Sequence, residues 1–338
     1  MNALKRARWF VALGLIFTLM LVGCGEKTQE DVIGDLDKKL TEMNGYKAKA
    51  TMTLQTGKDP QMYEVEVWHQ RKSFYRVALK NQNKDQSQII LRNDDGVFVL
   101  TPALNKSFRF QSDWPTNSSQ VYLFDSLVQD ILMDPERKFT ATDEHYVFQT
   151  STNYQNKNLN SQEVTLNKKD LSPRQVKIMN ADLEVLVQLD FTEFALDPSF
   201  NDGDFDMERN MTGAQMDVPT MAEPSEPMTV HYPMYEPQGT EFAGSQEIET
   251  ENGKRVVLQY EGERSYTLIQ EQSQIVPASI PMHVSEGEPV DLGFTIGVMT
   301  EESIMWSYNG VDFFLASQDL DQEEMMAIAR SVYGTLEK

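Results

Sequence analysis

Short runs in which apolar and polar residues alternate make up most of the chain, and such alternation predicts strands with one buried face. In residues 62–70, Tyr63, Val65 and Val67 alternate with glutamates and a tryptophan. The turn at residues 93–96 predicts a hairpin. The pattern predicts strands at residues 46–55, 62–70, 74–79, 88–92, 97–101, 146–150, 162–167, 174–179 and 184–194.

Two segments have helical spacing instead. Ile33, Leu36, Leu40 and Met43 predict a first helix, with a stop at Gly45. A second helix, with Ser118 or Ser119 as its cap, is predicted from a single apolar face, formed by Val121, Phe124, Leu127, Val128 and Ile131. The simplest packing is an α+β fold, in which one curved antiparallel sheet carries two helices on its concave side.

A change in composition divides the chain. Residues 207–231 collect prolines among Met, Thr, Glu and Ser, which is typical of a linker. Residues 232–338 then predict a smaller C-terminal α+β domain of short strands, closed by a helix for which Asp321 and Glu324 form a capping box. The first folded domain is expected over residues 30–206.

The N-terminus has the layout of a secretory signal. Basic residues precede an apolar run over residues 9–21, which is too short to span a bilayer of about 30 Å. Leu21, Val22, Gly23 and Cys24 then resemble the lipobox of bacterial lipoproteins. That resemblance implies a signal peptide over residues 1–23, lipid attachment at Cys24, and a short tether over residues 24–29 that holds the chain outside the cytoplasm at the cell membrane.

Charge narrows the choice of partners. Lys and Arg number 30 against 52 Asp and Glu, a net charge of −22. Nucleic acid and anionic lipid headgroups would be repelled, so no nucleic-acid partner is expected. Cys24 is the only cysteine, which excludes disulfides once it is lipidated.

Residues 72–77, 93–102 and 194–200, together with Phe205, resemble the LolA/LolB-type lipoprotein-carrier fold and the YdcC-type sporulation lipoproteins of spore-forming Gram-positive bacteria. The resemblance implies an unclosed antiparallel β half-barrel with covering helices, whose interior holds acyl chains. On that basis Val121, Phe124, Leu127, Val128 and Ile131 are candidates to line an acyl-chain cavity. The same five residues also fit an ordinary dry core, which is the alternative reading.

No catalytic chemistry emerges from the sequence. The four histidines, His69, His145, His231 and His283, lack the spacing of metal ligands, and no phosphate loop, nucleophile elbow or dinucleotide fingerprint occurs. The aspartates at positions 202, 204 and 206 lack the glycine and glutamate of a calcium loop. We therefore expect no catalytic residue, no metal and no cofactor.

The sequence thus predicts a membrane-anchored, non-enzymatic protein that binds a lipid or lipoprotein acyl chain in sporulation or envelope maintenance. The alternative is a protein-interaction scaffold or regulatory sensor, with the C-terminal domain docking a protein partner. A hydrolase of envelope material is the weakest hypothesis, since neither a nucleophile nor a metal site is found.

Overall fold

The structure is a computed structural model that describes residues 26–55, 60–71, 73–82, 87–116, 120–154, 159–217, 228–250, 253–274, 282–284 and 287–332. The chain divides into two compact units after Thr41. Helix α1, Gln29–Glu42, belongs almost wholly to the first unit. Thr28 caps it, since the Asp31 N–H donates to Thr28 Oγ1 at 3.2 Å and the Thr28 N–H donates back to the Asp31 carboxylate at 3.0 Å.

The second unit contains two sheets, the first of 12 strands. Its strands are β1 (Gly45–Leu54), β2 (Gln61–Gln70), β3 (Phe74–Asn81), β4 (Ser87–Asn93), β5 (Gly96–Thr101), β6 (Lys106–Phe110), β7 (Lys138–Ala141), β8 (His145–Ser151), β9 (Ser161–Asn167), β10 (Pro173–Met179), β11 (Val185–Leu196) and β15 (Met282–Val284). The spatial order is β15-β6-β5-β4-β3-β2-β1-β11-β10-β9-β8-β7. Only β15 pairs in parallel, with β6. The two end strands do not pair with each other, so the sheet stays open.

The two faces of this sheet follow from the alternation in sequence. Tyr46, Val65, Val77 and Ile90 are buried on what we name the inner face. Helix α2, Phe124–Met133, lies on this face, where the Phe124 ring meets Tyr46 edge-on at 6.0 Å.

The start of α2 differs from the prediction. The helix begins at Phe124 and not at Val121, and its N-cap position, Leu123, makes no side-chain capping bond. The Phe124 N–H instead donates to the Tyr46 hydroxyl at 3.1 Å. A tertiary contact therefore satisfies a donor at the start of this helix, for which the sequence predicted a cap at Ser118 or Ser119, and both of those serines lie outside the described residues.

The outer face is covered by a third helix, α3, Met207–Asp217. Phe205 and Met211 pack there against Ile89, Leu91 and Phe98. This helix occupies the start of the predicted linker at residues 207–231, and residues 218–227 lie outside the described ranges. The predicted boundaries of the two folded domains stay a prediction.

The second sheet has seven strands, all antiparallel, in the order β12-β13-β14-β19-β18-β17-β16. They are β12 (Thr240–Thr250), β13 (Gly253–Gly262), β14 (Tyr266–Gln272), β16 (Glu288–Asp291), β17 (Ile296–Met299), β18 (Ser303–Tyr308) and β19 (Val311–Ala316). Helix α4, Gln322–Ser331, packs on one face through Met325 and Ile328. Its predicted cap is confirmed, because the Asp321 carboxylate accepts from the Glu324 N–H at 2.8 Å.

The predicted fold class is confirmed as an unclosed antiparallel half-barrel with covering helices, beside a smaller α+β region. Strands β6, β7 and β16 were missed. Strands β7 and β16 have four residues each, too few for periodicity to register, and β16 carries Pro289, which an edge strand tolerates.

Candidate functional site

The two sheets meet at a junction that one glutamine spans. The Gln88 side chain on β4 accepts from the Ile296 N–H at 2.7 Å and donates to the Ile296 carbonyl at 3.2 Å. It also accepts from the Thr295 hydroxyl at 3.0 Å. Nearby, the Tyr63 hydroxyl donates to the Phe294 carbonyl at 2.9 Å. Buried amide and hydroxyl groups need such partners, so these bonds define how the second sheet lies on the first.

An ion pair holds the junction at a second point. Lys106, at the start of β6, pairs with the Asp312 carboxylate on β19. The hydroxyls of Ser273 and Ser307 donate to the other oxygen of the same carboxylate, at 2.7 and 2.6 Å. Asp312 thereby accepts from three side-chain donors, and its charge is balanced.

Between these polar links lies an apolar cleft of about 280 Å³. The first sheet contributes Val99 and Phe108, which are cross-strand partners, and Met282 of β15 pairs beside Phe108. Met282 is 57% exposed. The cleft is therefore an apolar surface that is open to solvent at one side.

The second sheet contributes an apolar stripe, which we define by the directly paired residues Val257, Ile269, Phe314, Met305 and Val298. Directly opposite residues in an antiparallel sheet point to the same face, so these five side chains form one row. The row crosses five strands, and the four spacings between them, at about 4.8 Å each, give a length of about 19 Å. The last four residues of the stripe line the cleft, and Ile269, Phe314 and Met305 are only half-buried.

A smaller cavity of about 50 Å³ adjoins the cleft. The two spaces share four lining residues, which are Gln88, Thr101, Ile296 and Ser307. Asp291 lines this cavity, and burial raises the pKa of its carboxyl although the Gly293 N–H donates to it at 2.7 Å. A space of this size accommodates a few water molecules and not an acyl chain.

The five residues proposed from the sequence for an acyl-chain cavity are all buried, on α2 or just before it. Their exposures are 7% for Val121, 0% for Phe124, 1% for Leu127, 0% for Val128 and 0% for Ile131. The structure thus brings them together in the interior. None of them lines the cleft or the small cavity, and their role around an acyl chain stays a prediction. Cys24 lies outside the described residues.

A polar cluster at the start of α2 anchors this helix to the inner face. The Asp125 carboxylate accepts from the hydroxyls of Tyr46 and Tyr75, at 2.7 and 2.9 Å. Burial, together with that carboxylate, raises the pKa of both tyrosines. The His69 ring stacks on Tyr75 with centroids 4.3 Å apart, and burial lowers the pKa of the imidazole.

A third space, a groove of about 980 Å³, lies on the outer face beside α3. Three of its four cations bond within the chain, among them Arg209, which donates to the Asp202 carbonyl at 2.8 Å. Arg76 pairs with Glu66 at 2.7 Å and donates to Asn210 at 2.6 Å, and Lys49 pairs with Glu193 at 3.2 Å. With acids and bases mixed and largely paired, this groove favours no class of ligand.

Sequence reasoning missed the cleft. Only short strands and a closing helix were predicted for residues 232–338, yet consecutive apolar residues such as Leu268 with Ile269, and Phe313 with Phe314, indicate strands that are apolar on both faces. In the structure Leu268 and Phe313 face the core beneath α4, and their neighbours Ile269 and Phe314 face the cleft.

Comparison with known proteins places this architecture in a family. Residues 5–205 match the family described as "Sporulation protein YdcC-like". The chain is 50% identical over 339 residues to the sporulation protein YdcC of Bacillus subtilis (strain 168), with 100% of both chains covered. The chain belongs to the YdcC-like family. In this YdcC-like chain, the stripe on the second sheet lies beyond the family match but within the region shared with the Bacillus relative.

Two solved structures are more distantly similar to this YdcC-like chain. One is the complex structure of Pseudomonas aeruginosa MucA/MucB, in which the matching chain is 13% identical, with 88% of this chain and 97% of that chain covered and a TM-score of 0.32. The other is a LolA superfamily protein from Nitrosomonas europaea, at 10% identity, with 54% and 99% covered and a TM-score of 0.30. Similarity at this level does not bear on ligands.

Across the described ranges, no group of three His, Cys, Asp or Glu side chains is arranged to hold a metal ion. In the same part of the chain, no helix combines the length and apolarity needed to cross a membrane.

Proposed function

We propose that this YdcC-like chain is a non-enzymatic binding protein of sporulation, anchored by lipid at Cys24 outside the cytoplasm, which holds an acyl chain of a lipid or lipoprotein. The observation that carries the proposal is the apolar cleft between the two sheets. The role in sporulation is supported by the 50% identity to a sporulation protein over the whole chain.

The dimensions of the stripe suit one acyl chain. A leaflet is about half of the 30 Å hydrocarbon core, so an extended acyl chain measures about 15 Å, against about 19 Å for the stripe. Each methylene removed from water contributes about 0.8 kcal/mol. A chain laid over Ile269, Phe314 and Met305 would cover apolar surface that is half-exposed in the free protein.

The charges around the cleft suit an uncharged ligand. Lys106 pairs with Asp312, and Arg255 pairs with Glu271. Each of these charges is balanced within the protein, so an acyl chain in the cleft would leave none of the four without a counter-ion.

Fluorescence of cis-parinaric acid tests the proposal with the chain that begins at Gly25. We expect saturable binding of the probe. Met305→Trp should weaken it about tenfold or more, because the indole fills space that about two methylenes of the probe would otherwise occupy. Met234→Trp is the matched control, since Met234 is 57% exposed and does not line the cleft. Mass spectrometry of organic extracts of the purified chain should also detect a co-purified lipid.

Two outcomes would contradict the proposal in different ways. Absence of both probe binding and co-purified lipid would exclude the acyl-binding function. Binding that is equal in Met305→Trp and Met234→Trp would keep the function and move the site away from the cleft, toward the interior lined by α2.

A further inference from the structure

The outer edge of β12 is the longest unpaired strand edge among the described strands. This strand has 11 residues and pairs only with β13. The other end strand of this sheet, β16, has four residues, as has β7 in the first sheet, and β15 covers the edge of β6. Unpaired backbone N–H and C=O groups along a strand edge are a template for another strand.

The usable part of this edge is its second half. A bulge between Phe242 and Gly244 interrupts the register, after which pairing runs without a break to Thr250. Residues 245–249 are exposed, and Ile248 is 37% exposed. Five extended residues, 245–249, span about 17 Å.

The charge of the strand selects the partner. Natural edge strands are commonly protected by charged side chains, especially lysine, by proline or by bulges. Strand β12 has no lysine or proline, its bulge lies before Gly244, and its charges are all acidic, at Glu241, Glu247 and Glu249. Glu247 pairs with Lys254 at 2.6 Å, but this glutamate is 59% exposed, and exposed pairs of this kind contribute little. Pairing with a second copy of β12 would bring glutamates of both copies together, which is destabilising.

We propose that the edge of β12 over residues 245–249 binds an extended segment of a partner protein that carries lysine or arginine side chains, and adds it to the second sheet as a further antiparallel or parallel strand. Main-chain hydrogen bonds would supply the affinity. The glutamates on either side of Ile248 would select basic side chains.

The test uses the full-length chain in dodecyl maltoside micelles with three synthetic ten-residue peptides carrying a fluorophore. One alternates Lys and Val, one alternates Glu and Val, and one alternates Lys and Pro, which keeps the charge but cannot form a strand ladder. We expect binding of the Lys/Val peptide alone, weakened by salt, with slower amide hydrogen exchange at residues 245–249.

Two triple variants separate strand addition at this edge from general attraction to an acidic protein. The variant that combines Glu241→Gln, Glu247→Gln and Glu249→Gln should bind the Lys/Val peptide about fivefold or more weakly. The control variant combines Glu288→Gln, Glu301→Gln and Glu302→Gln, which removes the same charge elsewhere in the C-terminal region. Its affinity for the Lys/Val peptide should change less than about twofold. Equal losses in both variants, unchanged exchange at residues 245–249, or equal binding of the Lys/Pro peptide would overturn the proposal.

Discussion

At the scale of single residues, His69 shows how burial turns a side chain into a pH-sensitive element. Its ring is 7% exposed, and Nδ1 lies 3.1 Å from the Phe74 carbonyl oxygen. Burial lowers the pKa of the imidazole, and the nearby Asp125 carboxylate opposes that shift in part. The folded state therefore favours the neutral ring more strongly than the unfolded chain does.

The sign of the resulting pH dependence follows from proton linkage. Below a pH of about 6.5, the unfolded chain binds a proton at His69 that the folded chain resists. The contribution of this residue to the free energy of unfolding is complete above that pH and is lost as the pH falls, by at most about 1.4 kcal/mol per pH unit.

Urea denaturation at pH 7.5, 6.5 and 5.5 measures this effect. We expect the free energy of unfolding of the native chain to fall between pH 6.5 and 5.5, and His69→Gln to show a smaller fall. His145→Gln, a change in a half-buried histidine of β8, is the matched control and should keep the native slope. Parallel pH profiles for the native chain and His69→Gln would show that His69 is not responsible.

At the scale of elements, α2 depends on the sheet for its N-terminal anchor. Tyr46 on β1 accepts from the Phe124 N–H, and both Tyr46 and Tyr75 donate to Asp125 in the first turn. A carboxylate near a helix N-terminus is also favoured by the helix dipole. The start of α2 is thus held by residues from two strands and not by a local cap.

Asp125→Asn should lower the free energy of unfolding by about 2–3 kcal/mol. The amide keeps one acceptor oxygen and loses the charge that strengthens both tyrosine bonds. Asp143→Asn, at an exposed turn residue, is the control and should stay within about 0.5 kcal/mol of the native chain in urea denaturation. A loss at Asp125 no larger than at Asp143 would mean that the cluster does not hold α2.

At the scale of the whole molecule, two sheets form a space that neither has alone. Val99 and Phe108 come from the first sheet, whereas Ile269, Met305 and Phe314 come from the second. The Gln88 bonds and the Lys106 pair with Asp312 set the separation of the sheets. The cleft therefore depends on residues that are far apart in sequence.

The proposed lipid anchor also acts on the whole molecule, because it would confine the cleft to one membrane surface. In a spore-forming host fed radiolabelled palmitate, the native chain should be labelled and shortened. Cys24→Ser should carry no label and remain an unprocessed precursor, whereas Gly23→Ala, which keeps a small residue before the cysteine, should behave like the native chain. A shortened, membrane-bound Cys24→Ser protein would exclude lipidation at this position.

Local pattern was enough to predict most of the first sheet. The alternation in residues 62–70 and the turn at residues 93–96 appear in the structure as β2 and as the hairpin between β4 and β5. Strands with one buried face must alternate, so their sequence reports their conformation. The start of α2 was predicted wrongly because its first N–H group is satisfied by Tyr46, 78 positions away in sequence.

By itself, the sequence pattern determined an antiparallel, strand-rich class with few helices, the apolar face of α2, the acidic composition and the lipobox-like segment at Cys24, since each depends on neighbouring residues or on composition. The half-barrel was implied by the resemblance to the LolA/LolB-type fold. Only the tertiary structure decided that the stripe from Val257 to Val298 forms one row, that it faces Val99 and Phe108, and that β12 has an open edge. Strand order and sheet packing arise from contacts between residues that are distant in sequence. Hydrophobic periodicity along a chain does not indicate which strands become neighbours.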